Sequence, residues 1–336
     1  MRAGAARVRR NLPTVRAVVV TRPGGTEVLE TAERPAPPTT ADALLVRVAA
    51  AGVNFIDVYQ REGIYPVPAP FVPGLEGAGT VEDVGANVSG FAPGDRVAWK
   101  NAMGSCAELV SVAATEAVPV PAGIADDTAA ALLLQGLTAH YLSNSTYAVQ
   151  PGDWVLVHAA AGGVGLLLTQ LVRARGGHVV ATAGSADKVA LARSAGAERV
   201  VDYTREDFVA AAREATGGEG VAAVYDGVGR DTFDGSLAAL RPRGTLALYG
   251  AASGQVPPFD IQRLNAGGSL FLTRPTLIHY TRTRQELLDR SAALFDAVTA
   301  GTLDVRIGHR YRLEQTRQAY KDLEGRRTTG KLLLLP

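Results

Sequence analysis

The segment Ala159-Ala160-Ala161-Gly162-Gly163-Val164-Gly165 constrains the fold more than any other stretch of the chain. It follows an apolar run, Trp154–His158, that reads as a strand. It opens a second run, Gly163–Arg175, that reads as a helix stopped by Gly176 and Gly177. A strand, a glycine turn and a helix in that order form the dinucleotide fingerprint, with Ala160, Gly162 and Gly165 at the three glycine positions. Gly162 lets the backbone approach a pyrophosphate, and Gly165 lets the helix pack closely on the strand. The first turn, Gly163, Val164 and Gly165, then offers free N–H groups and a positive dipole end to phosphates. A lone glycine triplet is weak evidence, and the competing reading is a structural turn in some other α/β fold. The correct element on each side decides for a dinucleotide site.

The chain beyond the loop supports this. Strand-like runs His178–Thr182, Glu198–Val201, Ala222–Asp226, Thr245–Tyr249 and Ser269–Thr273 alternate with helical stretches at Ser185–Ser194, about Arg205–Thr216, and Thr232–Leu240. Six strands alternating with helices predict a doubly wound parallel sheet. From Ala17 to about Val120 the texture differs: short apolar runs such as Leu44–Ala51 and Ala78–Val84 are broken by Gly and Pro, which predicts short strands and tight turns. The end of the chain predicts helices at Gln285–Thr299 and near Glu314–Leu323. A last strand, Lys331–Leu335, is expected to return to the first domain.

The choice of dinucleotide turns on the end of the second strand of the parallel sheet. NAD sites place an acid there to bond the ribose 2′-OH. Here the chain reads Ala181-Thr182-Ala183-Gly184-Ser185. Gly184 and Ser185 leave room for a phosphate, Lys188 lies one turn on, and Tyr203 comes just after the third strand. A 2′-phosphate suits a lysine with hydroxyl and backbone donors, so NADPH is expected. Asp187 is expected to point outward and to serve the first turn of its helix.

Composition excludes other classes. The net charge of +1 gives no field for nucleic acid, and no apolar run approaches the ~18 residues of a membrane span. One cysteine, Cys106, can form neither an internal disulfide nor a multi-thiolate zinc site, and a reducing cytoplasm is the simplest compartment. The first sixteen residues hold five arginines and no acid. A transit peptide looks like this, and so does a loose basic tail; residues 1–15 are read as a disordered tail.

The stretch Gly152–Arg173 resembles the signature of the quinone oxidoreductases, including the zeta-crystallins, in the medium-chain dehydrogenase/reductase superfamily. Gly52–Asp57, Gln135–Tyr141, Tyr225–Gly229, Thr273–Pro275 and Arg326–Lys331 carry the same likeness. It runs from about Arg16 to the C-terminus. The resemblance implies a GroES-like β-barrel catalytic domain joined to a Rossmann domain, with the active site between them, NADPH as cofactor, quinone substrates and a homodimer. The boundaries expected are 16–134 with 276–336 for the catalytic domain, and 135–275 for the Rossmann domain.

The zinc enzymes of that superfamily carry Gly-His-Glu where this chain has Gly74-Leu75-Glu76, and their cysteine ligand aligns with Asn54. Leu75 cannot bind a metal and Asn54 is a poor ligand, so no zinc is expected. A quinone is reactive enough to accept hydride by positioning alone. The family pattern puts Asn54, Asp57 and Tyr59 beside the nicotinamide: Asn54 as a donor to a carbonyl oxygen, Tyr59 as a partner of substrate or ribose, and Asp57 as an orienting group. It also places Thr138 on the nicotinamide, and the rule that ligands bind at the carboxyl ends of the parallel strands puts the backbone of Tyr249 and Gly250 there. Arg326 is expected at the cofactor, and Arg274 and Tyr65 at the substrate mouth; either arginine reads equally well as an ordinary salt-bridge arginine at the cleft edge. Tyr59 reads equally well as a half-buried core tyrosine, and Thr138 as a helix-face threonine. Two other functions fit the same framework: an NADPH-dependent 2-alkenal or enone reductase, and a non-catalytic, crystallin-like NADPH-binding protein.

Overall fold

The computed structural model describes residues 14–336. Most of the arginine-rich tail lies outside this range. Its last two residues do not belong to a tail: Thr14 and Val15 begin a strand, Thr14–Val20, paired antiparallel with Leu29–Pro35.

The parallel sheet has six strands: Trp154–Val157, His178–Ala183, Arg199–Asp202, Val221–Asp226, Leu240–Leu248 and Phe271–Thr273. Numbered in chain order, they lie 3-2-1-4-5-6 across the sheet, all parallel. This is the doubly wound order, and its direction reverses between Trp154–Val157 and Val221–Asp226. Ligands bind at that reversal, outside the carboxyl ends of the strands. The strands are apolar because helices cover both faces of the sheet: Val155, Leu156, Val179, Val180, Val224 and Leu246 are all sealed from solvent.

The second sheet has seven strands and is largely antiparallel. Ala43–Val53 is its longest strand, flanked by Glu76–Val84 and by the C-terminal strand Lys331–Leu335. The C-terminal strand therefore returns across the whole chain to the sheet built by the first part of the sequence. Ile307–Arg312, a strand that no signal in the sequence marks, runs parallel to it at the edge. Its residues are mostly charged or polar and only Tyr311 is buried, so it has the composition of a loop.

A sixteen-residue helix, Asp126–Tyr141, joins the two sheets. It packs on both Glu76–Val84 and the helix Gly163–Ala174. The division at 134/135 falls within this helix. It is apolar on every side, as expected of a helix buried between layers. That leaves no helical period to detect in the sequence.

Candidate functional site

A cleft of roughly 1110 Å3 runs across the carboxyl ends of the parallel strands and under the seven-stranded sheet. This is larger than a usual small-molecule site of ~300–1,000 Å3, and a dinucleotide needs that room.

At one end the glycine loop meets the cleft. Gly162 caps the helix Gly163–Ala174 without a side-chain cap, and the first intrahelical bond is Leu166 N–H to Gly162 O at 3.0 Å. The N–H groups of Gly163, Val164 and Gly165 are thus left for a ligand. Gly165 has to be glycine, because a Cβ there would lie 2.5 Å from Ala159 O and 2.6 Å from Ala160 Cα. Further along, Tyr203 covers Gly184, where a Cβ would meet the phenol oxygen at 2.4 Å.

Lys188 and Arg326 line the same end. The Lys188 ammonium donates to the Arg326 carbonyl. Burial lowers the Lys188 pKa, and the Arg326 charge lowers it further. Two positive charges thus lie close together at this end of the cleft. Arg326 also has a left-handed backbone, φ 54°, which turns its carbonyl toward Lys188.

At the other end stand Tyr59, Tyr65, Thr138, Tyr141, Tyr249, Gly250 and Arg274. Tyr59 and Tyr65 meet edge to face, with centroids 5.4 Å apart. Ala251 N–H donates to the Tyr59 oxygen at 3.3 Å, which leaves the phenolic hydrogen free for an acceptor in the cleft. Burial raises the Tyr59 pKa, while the Ala251 N–H and the Arg274 charge oppose the rise. Thr138 donates back to Leu134 O at 2.7 Å, so its oxygen faces a ligand as an acceptor only. The N–H groups of Tyr249 and Gly250 are taken by Asp226 O, at 2.8 and 3.3 Å.

Three expectations need correction. Asp57 does not reach the cleft. It is buried below it, accepting from Asn54 N–H at 2.8 Å and from the Tyr320 hydroxyl at 2.9 Å, and burial pushes its pKa up to about 6. Ser185 caps the helix Ala186–Ser194 on the exposed side and does not line the cleft. Asn54 does line it, but its amide hydrogens are spent, donating to Glu76 at 2.9 Å and to Gly52 O at 3.3 Å. It therefore has no hydrogen left for a substrate carbonyl.

Asn54 is instead the hub of a buried network that sequence reasoning misses. Lys331 Nζ donates to Asn54 Oδ1 at 2.7 Å and pairs with Glu76, and Gln135 Nε2 donates to the same Asn54 oxygen at 3.3 Å. The other Glu76 oxygen accepts from Leu134 N–H at 2.6 Å. Lys331 and Glu76 are 1% and 0% exposed, so neither charge has water to solvate it. The only sequence signal is a charge at the start of each of two apolar strands, with opposite signs. Nothing local says that they meet, since 255 residues separate them.

Among the described residues no three His, Cys, Asp or Glu side chains converge as metal ligands. At the positions that align with zinc ligands, Leu75 is an apolar wall of the cleft, and Asn54 is engaged as above.

Residues 40–150 match the alcohol dehydrogenase GroES-like domain, and residues 163–295 match the domain described as a zinc-binding dehydrogenase. Quinone oxidoreductase 1 of Escherichia coli is 42% identical over 318 residues, covering 93% of this chain and 97% of that one. The chain belongs to the quinone oxidoreductase family. Within that family, the Escherichia coli quinone oxidoreductase solved in complex with NADPH superposes with a TM-score of 0.94 at 39% identity, over 96% of this chain and 100% of that one. A mycobacterial protein solved with NADPH gives 0.93 at 49% identity, with the same two coverages. A 2-haloacrylate reductase of Burkholderia is 41% identical over 87% of this chain and 90% of its own length.

Proposed function

We propose that the protein is an NADPH-dependent quinone oxidoreductase that transfers hydride without a metal, in the cleft between the two sheets. The observation that carries this reading is the division of the cleft. Unpaired helix N–H groups and the Lys188–Arg326 cation pair stand at one end, and tyrosines and Arg274 stand at the other. The first end fits a pyrophosphate and a 2′-phosphate, the second a flat conjugated acceptor. When bound, NADPH supplies the hydride.

The side chains present position the acceptor, exclude water and stabilise the oxygen charge that develops on it. Tyr59 donates its free hydrogen to that oxygen. With a raised pKa it serves as a hydrogen-bond donor, and water delivers the proton. Replacing Tyr59 with Phe is expected to lower kcat/KM for 1,4-naphthoquinone about tenfold, the cost of one lost bond in the transition state. The KM for NADPH should stay within about twofold. An unchanged kcat/KM would remove Tyr59 from the reaction.

A second reading, reduction of an activated carbon–carbon double bond, is supported by the 2-haloacrylate reductase relative. We assign the protein to the cytoplasm on its cysteine usage, with Cys106 buried as a free thiol. No described helix is long and apolar enough to cross a membrane.

We also assign it a homodimeric state. Phe271–Thr273 is the outer strand of the parallel sheet, and its Phe271 is 61% exposed. An unpaired edge with a large apolar side chain pairs readily with a second copy. Light scattering should give twice the chain mass for the wild type and the chain mass for Phe271→Asp. A monomeric wild type would contradict the assignment.

A further inference from the structure

The acceptor end of the cleft holds a cation that no described residue neutralises. Four long basic side chains line the cleft: Lys100, Lys188, Arg274 and Arg326. Lys100 is buried and paired with Glu116 at 2.8 Å. Lys188 and Arg326 face each other at the phosphate end. The one acid in the lining, Asp231, is paired with Arg230 at 3.1 Å. Arg274 is left over: among the described residues it has no ion pair and no side-chain hydrogen bond.

Its place is fixed as well. Arg274 leaves the outer strand Phe271–Thr273 and precedes the buried Pro275, which restricts it to extended backbone. Its charge acts on the phenols of Tyr59 and Tyr141, lowering pKa values that burial raises. Tyr141 is itself held by stacking on Tyr280, with centroids 4.2 Å apart. The guanidinium therefore stands beside the acceptor site and away from the phosphate end. Arg274 is exposed at the rim of the cleft, and its planar fork of donors matches a carboxylate or an ionised hydroxyl.

We propose that Arg274 selects acceptors that carry an anionic substituent, a carboxylate or an ionised hydroxyl, next to the reducible system. This deepens the quinone reductase reading and rests on it. The chemistry balances without change to that substituent. NADPH loses a hydride, the acceptor gains it with one proton from solvent, and the anionic group remains paired with Arg274 throughout.

The test uses a matched pair of acceptors, a 1,4-naphthoquinone with a carboxyalkyl side chain and its methyl ester, so that the reducible ring is shared. The wild type should favour the acid over the ester by about tenfold or more in kcat/KM. Arg274→Gln should bring the acid-to-ester ratio close to one whatever the common rate becomes, and Arg274→Lys should keep part of the preference. Parallel assays with 2-hydroxy-1,4-naphthoquinone tell an ionised hydroxyl from a carboxylate as the anion recognised. Benzoate binding to the NADP+ complex, measured by calorimetry, reads the anion site without turnover and should be lost in Arg274→Gln.

Equal wild-type rates on acid and ester, or an equal loss on both in Arg274→Gln, would overturn the proposal. So would a wild-type complex that does not bind benzoate. Arg274-dependent benzoate binding with no quinone turnover would keep the anion site and sink the quinone reductase reading instead.

Discussion

Replacing Lys331 with Met is expected to cost about 3–5 kcal/mol of unfolding free energy, the usual result of leaving one buried charge without its partner. Lys331 and Glu76 have no solvent, so the carboxylate left behind can only take up a proton or draw water into the wall of the cleft. The same change takes from Asn54 Oδ1 the shorter of its two hydrogen bonds, the one from Lys331 at 2.7 Å, and leaves only that from Gln135 at 3.3 Å. The damage is therefore local to the acceptor end as well as global. Urea denaturation should show the loss in Lys331→Met, while Lys331→Arg retains a charge and should lose less. In the double variant Lys331→Met with Glu76→Leu, much of the stability should return, because no unpaired charge remains. A loss below about 1 kcal/mol in Lys331→Met would mean that the pair is not sealed from water.

The second large effect is on cofactor choice. Lys188→Ala should weaken NADPH binding by about 10–150-fold, corresponding to ~1.5–3 kcal/mol for a hydrogen bond to a charged group. NADH binding, measured by the same fluorescence titration, should change by less than about twofold, because NADH has no 2′-phosphate. Lys188 is turned to the Arg326 carbonyl. A bound phosphate competes for that ammonium, and Arg326 lies beside it to share the charge. An equal loss for both nucleotides would mean that Lys188 holds the loop in shape without reading the phosphate.

The parallel half of the fold is legible in the sequence because its signals are local. Each strand is a short apolar run, each helix has an amphipathic or glycine-bounded segment, and the order of elements dictates the topology. The helix predicted at Gly163–Arg175 spans Gly163–Ala174, and the helix predicted at Gln285–Thr299 spans Arg284–Thr299. The helix Asp126–Tyr141 is not legible, because a helix buried on all sides has no period. The short helix Phe55–Arg61 is hidden for another reason: it starts directly from the strand Ala43–Val53, with Asn54 between them.

The site divides in the same way. Its glycine loop, Lys188 and Tyr203 stand at positions fixed by their own strand ends. The roles of Asn54 and Asp57 depend on Lys331, Glu76 and Tyr320, which come from distant parts of the chain. Residue type alone could suggest a polar role for Asn54, but not that its partners would already be supplied. Ser185 shows the limit of position within a strand end: its side chain turns to cap the next helix.

The most direct measurement is NADPH oxidation by the purified protein with 1,4-naphthoquinone in chelated, metal-free buffer, compared at equal concentration with NADH. Quinone-dependent oxidation of NADPH is expected at a rate unaffected by the chelator, with a kcat/KM for NADH at least about tenfold lower. Equal use of NADH would contradict the reading of Lys188, Tyr203 and Arg326. Loss of activity on chelation, restored by zinc, would contradict the metal-free mechanism itself.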